Sequence, residues 1–248
     1  MIQVVVHGAE GRMGKLIAQL VSEADDCQLV GLVTESGRET PAGDFHPVLP
    51  LIGQNQMGEE LPTGCVVVDF SLAPALDGLL QQAIALEAPL VIGTTGFSTN
   101  QQAALDMFAQ KFPVVHAANF SVGVPALQML LQLLAKTLPS GFDAEQLETH
   151  HITKVDKPSG TASHLAAVYE DARKMSDKVP THSQRLGGTI GEHTWTFSDA
   201  EETLVLTHRA HSRKAFLRGI LPSVRFVAGR QPGMYGLTHV LQGLAGIS

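Results

Sequence analysis

MIQVVVHGAEGRMGKLIAQL, residues 1–20, joins an apolar, β-branched run to a glycine-rich turn and then to a segment with helical spacing. The run over residues 2–6 predicts a buried strand, and the apolar residues after the turn predict one face of a helix. Gly8, Gly11 and Gly14 follow the spacing G-x-x-G-x-x-G. Glycines at such a junction let the backbone approach a pyrophosphate, and the N-terminus of the helix favours its negative charge. The stretch therefore predicts a dinucleotide-binding domain.

An acidic residue stands where such a domain binds the adenosine ribose. Glu35 directly follows the second predicted strand, Cys27–Thr34, and lies 21 residues after Gly14. An acid at this point of the fold binds ribose hydroxyls. The alternative interpretation is a glycine-rich turn followed by a solvated glutamate. The spacing, the strand–turn–helix setting and the acid together favour the nucleotide site.

Two further predicted strands end in small residues. GTTG at Gly93–Gly96 follows the strand over residues 90–92, and AANF at Ala117–Phe120 follows the strand over residues 113–116. Ligands of open α/β sheets bind at the carboxyl ends of the strands. Small residues there leave room for a nicotinamide ring, although ordinary turn chemistry is the alternative for either segment.

Strands and helical segments alternate as far as Asn119, which predicts a parallel sheet with helices on both faces. The pattern then changes to a long apolar helix, further strands and a second helix. We therefore expect an α/β protein with a Rossmann-type dinucleotide-binding domain at residues 1–121, to which residues 218–248 return. A smaller α+β domain with a mixed sheet is expected at residues 122–217.

Three local predictions concern the less regular parts of the chain. The region over residues 37–56, rich in proline and glycine, is expected to be a surface loop. Residues 146–152 are predicted to form a strand. Residues 215–227 are predicted to form one helix, which Pro222 must either start or kink.

Composition excludes several classes of protein. With 44% hydrophobic residues, the chain of 248 residues can bury two cores. The net charge of −7 and the lack of a basic stripe argue against nucleic acid as the main partner.

Apolar stretches are too short or too polar to span a membrane, and Met1 leads directly into a strand, so we expect a cytoplasmic protein without a signal peptide. Cys27 and Cys65 lack the spacing of a metal or redox site, which indicates buried free thiols.

ETHHITKVDKPSGT, residues 148–161, is the stretch richest in chemically active groups. His150 and His151 are adjacent on a strand, so their side chains point to opposite faces and are expected to do different jobs. A histidine can deliver a proton near neutral pH, and Lys154 adds a fixed positive charge or a second proton. Ser159–Thr161 stand where a helix begins, so their N–H groups can hold a carboxylate. Together they predict a pocket for a small, multiply anionic substrate that needs protonation.

Several motifs resemble the dihydrodipicolinate reductase family over nearly the whole chain. They are GAEGRMG at 8–14, VIGTTGF at 91–97, AANFSVGV at 117–124 and ETHHITKVDKPSGTA at 148–162, with GEHT at 191–194 and THRAHSR at 207–213 similar to the family's second domain. The resemblance implies hydride transfer from NADH or NADPH to an unsaturated cyclic imine dicarboxylate, in lysine and diaminopimelate biosynthesis. It also implies a homotetramer with contacts through the sheet of the second domain. We expect no metal site, because the side chains of the neighbouring His150 and His151 diverge on a strand.

The resemblance further implies roles for individual residues. His150 would be the general acid, and Lys154 a second proton donor or a carboxylate ligand. The residues expected to bind substrate are His151, Ser159, Gly160 and Thr161. The residues expected to line the cofactor site are Gly8, Ala9, Glu10, Gly11, Arg12, Met13, Glu35, Gly93, Thr94, Thr95, Ala117, Ala118, Asn119 and Phe120.

The sequence departs from the family pattern at two places. Many members have an arginine after the ribose-binding acid, where it meets the phosphate of NADPH, whereas this chain has Ser36, followed by Arg38. We therefore expect NADH to be used at least as well as NADPH, although Arg12 or Arg38 could supply the charge. Residues 174–185 form a shorter connection than in typical members, which bears on the contacts of the tetramer.

Two other functions are compatible with part of the pattern. A related imine or amino-acid dehydrogenase would keep the glycine turn but has no need for HHxxK followed by PSGT. A nucleotide-binding regulator without turnover would tolerate the loss of the acid, whereas His150, His151 and Lys154 are all present. Their combination favours the reductase.

Overall fold

Apolar strands that alternate with helices build the protein, whose computed structural model describes residues 1–34 and 46–246. In chain order the elements are β1 (Ile2–His7), α1 (Arg12–Ser22), β2 (Cys27–Thr34), β3 (Leu51–Gly53), α2 (Met57–Glu60), β4 (Val66–Asp69), α3 (Leu76–Ala85), β5 (Leu90–Ile92), α4 (Thr99–Ala109), β6 (Pro113–His116), α5 (Gly123–Thr137), β7 (Asp143–His150), α6 (Gly160–Arg173), β8 (Thr181–Arg185), β9 (Gly191–Ser198), β10 (Thr203–Ala210), α7 (Ile220–Val227), β11 (Gly233–Tyr235) and α8 (Leu237–Ala245). The chain divides into two compact units, Met1–Phe120 with Leu217–Ser248, and Ser121–Phe216.

The first unit is built on a parallel sheet of seven strands in the order β11-β6-β5-β4-β1-β2-β3. Successive side chains of a strand point to opposite faces. Val4 and Val6 of β1 accordingly pack in one core with Ile17 of α1, while Val5 packs in a second core with Leu79 of α3. Both faces of the sheet are covered, which confirms the predicted α/β class.

The strand order of this sheet reverses between β1 and β4. The chain runs outward from β1 through β2 to β3 and then crosses to β4 on the other side of β1. At such a reversal the connections after the two strands leave in opposite directions and open a crevice at their carboxyl ends. The glycine turn, Gly8–Gly11, follows β1 directly and therefore lies at this point of the sheet.

The second unit has a four-stranded sheet in the order β10-β9-β7-β8. β7 and β8 pair in parallel and the other pairs are antiparallel, so the sheet is mixed, as predicted. Helices α5 and α6 supply Leu131, Leu165 and Tyr169 to a core with Trp195 and Phe197 of β9. Along β9 buried residues alternate with partly exposed ones, because one face of the sheet packs on the helices.

The prediction of a loop over residues 37–56 is wrong for its last part. Leu51–Gly53 form β3, which pairs in parallel with the end of β2, and a 3₁₀ turn follows at Gln54–Gln56. Three residues that include a glycine show neither a periodic pattern nor a continuous apolar run, and the equally short β11 was missed for the same reason. Residues 35–45 lie outside the described ranges.

Two other element predictions need correction. The strand predicted at residues 146–152 runs instead from Asp143 to His150. The helix predicted at residues 215–227 is two segments, a 3₁₀ turn and α7. Pro222 is the third residue of α7, within the first turn, where a missing N–H costs no hydrogen bond of the helix. Within the described ranges, every helix is too short or too polar to cross a membrane.

Candidate active site

The glycines at the turn after β1 are packed so closely that a side chain at Gly8 or Gly14 is excluded. Gly8 has a positive φ of 75°, and a Cβ there would lie 2.7 Å from the carbonyl oxygen of Phe70. A Cβ at Gly14 would lie 2.2 Å from the carbonyl oxygen of Gly8. Helix α1 therefore starts against the turn itself. Gly11 precedes the first residue of α1 and has no side chain that could cap the helix. The first amide N–H groups of α1 can therefore bind an anion.

The carboxyl ends of the neighbouring strands meet at the same edge of the sheet. A Cβ at Gly93, after β5, would lie 2.3 Å from the ring of Phe70, which follows β4. The Phe70 ring in turn packs on Phe120, beyond β6, with 5.5 Å between the ring centroids. Among the residues that the structure describes, the buried hydroxyl of Thr94 has no hydrogen-bond partner. The structure thus brings the segments 93–95 and 117–120 to the edge that carries the glycine turn.

Two polar contacts stabilise this edge of the sheet. His7 Nδ1 lies 2.7 Å from Asp69 Oδ1, and both side chains are buried at the ends of β1 and β4. The hydroxyl of Thr34 donates to Glu10 Oε2 at 2.6 Å and so ties the turn to the end of β2. The His7–Asp69 pair was missed by the sequence interpretation; its signal is a polar residue at the end of each of two apolar strands.

A nicotinamide dinucleotide fits the groups at this edge. The uncapped start of α1 offers N–H groups and positive partial charge to a pyrophosphate. Gly8 and Gly93 keep the surface free of side chains, and Thr94 offers an unused hydroxyl. The predicted ribose ligand Glu35, together with Ser36 and Arg38, lies outside the described residues.

In the second unit His150 and Glu148 occupy the same face of β7, two residues apart. Both are buried, and Nδ1 of His150 is hydrogen-bonded to Oε2 of Glu148. Glu148 Oε1 accepts a second bond, of 2.8 Å, from Nη2 of Arg185, which is paired with His150 in the register of β7 and β8. A Cβ at Gly191 of β9 would lie 3.1 Å from His150 Nε2, so a glycine there leaves space beside this nitrogen.

The charges in this cluster determine its protonation. Burial alone raises the pKa of Glu148, but the hydrogen bonds from Arg185, Ser183 and His150 outweigh it and hold the pKa below its usual range. Burial lowers the pKa of His150. The Glu148 carboxylate opposes this shift, whereas Lys154 and Arg185 add to it, and the pKa of His150 lies below its ordinary value. Without a bound anion, His150 is therefore neutral at neutral pH and Glu148 is ionised.

The adjacent histidine has a different environment, as expected. His151 lies beyond the end of β7 and is more exposed than His150, and its Nδ1 lies 2.7 Å from the hydroxyl of Thr153. Lys154 follows in the same loop, where its Nζ is paired with Asp156 Oδ1 at 2.8 Å. That pair lowers the pKa of Asp156. Lys154 therefore has a carboxylate partner that a substrate carboxylate would have to replace.

The PSGT turn begins helix α6 as the sequence predicts. Ser159 is the N-cap, and its hydroxyl accepts from the amide of Ala162 at 3.1 Å and lies 3.3 Å from Nε2 of His193. The Ser159 side chain is buried, so it is less available to a ligand than expected. A Cβ at Gly160 would meet open space, so the backbone of Gly160 and Thr161 is the accessible part of the turn.

Two more histidines complete the cluster, the buried His193 and the partly buried His208, and neither was given a role in the sequence interpretation. His193 stands opposite Glu148 in the register of β7 and β9, and opposite His208 in the register of β9 and β10. Burial, together with the charges of His150 and His208, lowers the pKa of His193 to about 4. His193 alternates with Trp195 and Phe197 along β9, and that spacing could have identified it as a buried histidine.

Comparison with known proteins shows the family to which the chain is similar. The family model described as "Dihydrodipicolinate reductase, N-terminus" matches residues 2–120, and the one described as "Dihydrodipicolinate reductase, C-terminus" matches residues 123–241. The 4-hydroxy-tetrahydrodipicolinate reductase of Stenotrophomonas maltophilia is 38% identical over 242 residues, which cover 97% of this chain and 98% of the relative. The enzyme of the same name from Syntrophus aciditrophicus is 33% identical over 264 residues, with the same coverage of 97% and 98%.

Solved structures show the fold. A dipicolinate-bound dihydrodipicolinate reductase from Paenisporosarcina sp. TG-14 matches with a TM-score of 0.81 at 24% identity, over 96% of this chain and 99% of that one. An engineered D-amino acid dehydrogenase bound to NADP⁺ matches with a TM-score of 0.55 at 11% identity, over 97% and 95% of the two chains. The second match shows that the architecture is shared by nicotinamide enzymes with other substrates.

Proposed function

Because the chain belongs to the dihydrodipicolinate reductase family, we propose that it reduces 4-hydroxy-tetrahydrodipicolinate and that His150 protonates the reaction intermediate. The chain is an NAD(P)H-dependent oxidoreductase with a Rossmann-type fold, and its substrate is a small molecule. The observation that supports the role of His150 is its place in the buried cluster with Glu148 and Lys154, in which His193 connects it to Ser159 at the start of α6.

The nucleotide would be held by the edge of the parallel sheet. The amides that follow Gly11 bind the pyrophosphate, Glu35 binds the ribose, and the segments 93–95 and 117–120 surround the nicotinamide. When bound, the reduced nicotinamide supplies the hydride. The close packing at Gly8 and Gly93 supports this placement, because each position faces a neighbour that any side chain would displace.

The substrate carboxylates would be bound by Lys154, by the amides of Gly160 and Thr161, and by His151. Two carboxylates bring negative charge next to a neutral His150, and an opposite charge nearby favours the protonated form of an imidazole. His150 therefore takes up a proton as the substrate binds. The 4-hydroxyl group of the substrate leaves as water, which gives the unsaturated cyclic imine. Hydride addition to this imine leaves an enamine-like anion, and His150 passes its Nε2 proton to that anion. The imine thus gains one hydride and one proton, and His150 returns to its neutral form.

The remaining assignments are parts of the same proposal. The enzyme would act in the cytoplasm, in lysine and diaminopimelate biosynthesis, where reduced nicotinamide nucleotides are available. It would form a homotetramer through the outer face of the sheet in the second unit, where Val205 of β10 is 53% exposed. Light scattering on the purified protein measures the mass of the assembly and tests this assignment.

The function is tested by mixing the protein with NADH and the freshly generated product of the aldolase that condenses pyruvate with aspartate semialdehyde. We expect the absorbance of the reduced nicotinamide to fall only when all three components are present. A matched sample with heat-inactivated protein gives the background. Oxidation of NADH no faster than that background would rule out the proposed reaction.

A further inference from the structure

Glu148 and Arg185 form a buried ion pair to which the proposed reaction assigns no task. Glu148 is fully buried on β7, and the side chain of Arg185, on β8, is 6% exposed. Buried ion pairs are often replaced by apolar residues of similar size with no loss of stability. The pair therefore needs an explanation other than its contribution to folding, and its contacts supply one.

One contact of the pair fixes the ring of His150. Glu148 uses its two oxygens separately, because Oε1 accepts from Arg185 and Oε2 is hydrogen-bonded to Nδ1 of His150. The charged or titratable groups that face His150 are Glu148 on β7, Arg185 on β8, His193 on β9 and Lys154 in the loop after β7. Of these four, Glu148 carries the negative charge, so it is the group that keeps a proton on Nδ1.

The other contacts of Arg185 hold the loop that carries Lys154. Its Nε donates to the carbonyl oxygen of Lys154 at 3.1 Å, and its Nη2 donates to the carbonyl oxygen of Asp156. A third nitrogen, Nη1, donates to the carbonyl oxygen of Gln184 at 2.6 Å. The planar guanidinium of Arg185 thus connects Glu148 to the backbone on both sides of Val155. A lysine could not make this set of bonds, because its ammonium is a single point on a flexible stem.

We propose that Glu148 and Arg185 are positioning residues that keep the proton of neutral His150 on Nδ1, so that Nε2 is the nitrogen that exchanges the proton with the substrate. Arg185 at the same time holds the Lys154 loop at a fixed distance from that ring. The inference rests on the proposed function, since it takes His150 as the acid. It goes further by naming the groups that select the reactive nitrogen.

The sharpest test is Glu148→Gln, which keeps the size of the side chain. Arg185 can only donate hydrogen bonds, so it selects the amide oxygen and turns the NH₂ group towards His150. Nδ1 must then accept, and the proton of neutral His150 moves to Nε2. Long-range ¹H–¹⁵N spectra of protein labelled in histidine distinguish the two tautomers, and the signals of His150 are those that His150→Gln removes.

Kinetics provide a second readout. In Glu148→Gln we expect kcat to fall by about 10²-fold, with KM for NADH within about twofold. The loss of the carboxylate should also move the alkaline limb of the kcat–pH profile to lower pH by about one unit. In Arg185→Lys we expect kcat to fall by about tenfold and KM for the substrate to rise, because the Lys154 loop is released.

A matched control is available in the same unit. Arg173 also binds three carbonyl oxygens, those of Ala135, Leu138 and Pro139, at 2.6 to 3.2 Å. Arg173→Lys should lower the melting temperature and leave kcat, the pH profile and the tautomer of His150 unchanged. A purely structural role of Arg185 would give the same result in Arg185→Lys.

The possible outcomes separate this inference from the proposed function. An Nε2–H tautomer of neutral His150 in the wild-type protein would overturn the inference, whether or not the variants fold. An unchanged tautomer and pH profile in Glu148→Gln would also overturn it. Wild-type protein that shows the Nδ1–H tautomer but does not reduce the substrate would instead contradict the proposed function.

Discussion

Gly14→Ala isolates the contribution of the glycine turn to cofactor binding. The added Cβ would lie 2.2 Å from the carbonyl oxygen of Gly8 and 2.7 Å from Cα of Ala9, whereas ordinary contacts begin at 3.4 Å. Both neighbours are backbone atoms, so no side chain can move aside. The start of α1 must therefore shift from the turn by a distance on the order of 1 Å, and a misplacement of that size costs about 10²-fold in a well-aligned site.

We expect KM for NADH to rise by about 10- to 100-fold in Gly14→Ala, while kcat at saturating NADH changes by less than about threefold. Overpacking should also cost about 1–3 kcal/mol of folding free energy. Gly229→Ala is the control, because a Cβ at Gly229 would meet open space. Steady-state kinetics with varied NADH measure the effect. A KM for NADH that is the same in both variants would refute the placement of the pyrophosphate at the start of α1.

Three further predictions concern the acid, the choice of cofactor and the effect of pH on stability. His150→Gln should lower kcat by about 10²-fold or more and leave the Kd of NADH, measured by fluorescence, almost unchanged; collapse of NADH binding would make His150 structural instead. With Ser36 in place of the expected arginine, NADH should serve at least as well as NADPH, and a ratio of kcat/KM about 100-fold in favour of NADPH, worth about 2.7 kcal/mol, would contradict this. The pKa of His193 is lowered in the folded state to about 4, below the value of about 6.5 in an unfolded chain. At a pH between these two pKa values, His193 is protonated in the unfolded chain and neutral in the folded one. The free energy of unfolding should therefore fall by about 1 kcal/mol per pH unit as the pH decreases through this window. Denaturant titrations at several pH values measure the free energy of unfolding of the wild type and of His193→Asn. Equal slopes of this free energy against pH in the two proteins would contradict the assignment.

The overall fold could be predicted from the sequence because its main signals are local. Strands such as Leu90–Ile92 are continuous apolar runs between turns, and β6 was predicted with its exact bounds. β3 (LIG) and β11 (GMY) were missed because, unlike the continuous apolar run of the equally short β5 (LVI), each includes a glycine and owes its conformation to pairing with a neighbouring strand. Pairing between distant segments leaves no trace in a window of sequence.

The candidate site was predictable only where its residues are close in the chain. His150, Lys154 and the PSGT turn lie within one short stretch, and the start of a helix at Ser159–Thr161 was predicted correctly. Arg185 and His193 reach Glu148 from β8 and β9, so their role depends on strand register. His7 and Asp69 meet for the same reason, since β1 and β4 are neighbours in the sheet and not in the sequence.

The proposed function requires this chain to deliver a hydride from the nicotinamide to the unsaturated imine that forms from 4-hydroxy-tetrahydrodipicolinate. The most direct measurement uses NADH that carries two deuterons at C4 of the nicotinamide, with the aldolase product as substrate and mass spectrometry of the products. We predict tetrahydrodipicolinate with one deuterium bound to carbon, together with oxidised nucleotide that retains the other. Tetrahydrodipicolinate without deuterium, or unchanged substrate after complete mixing, would contradict the claim.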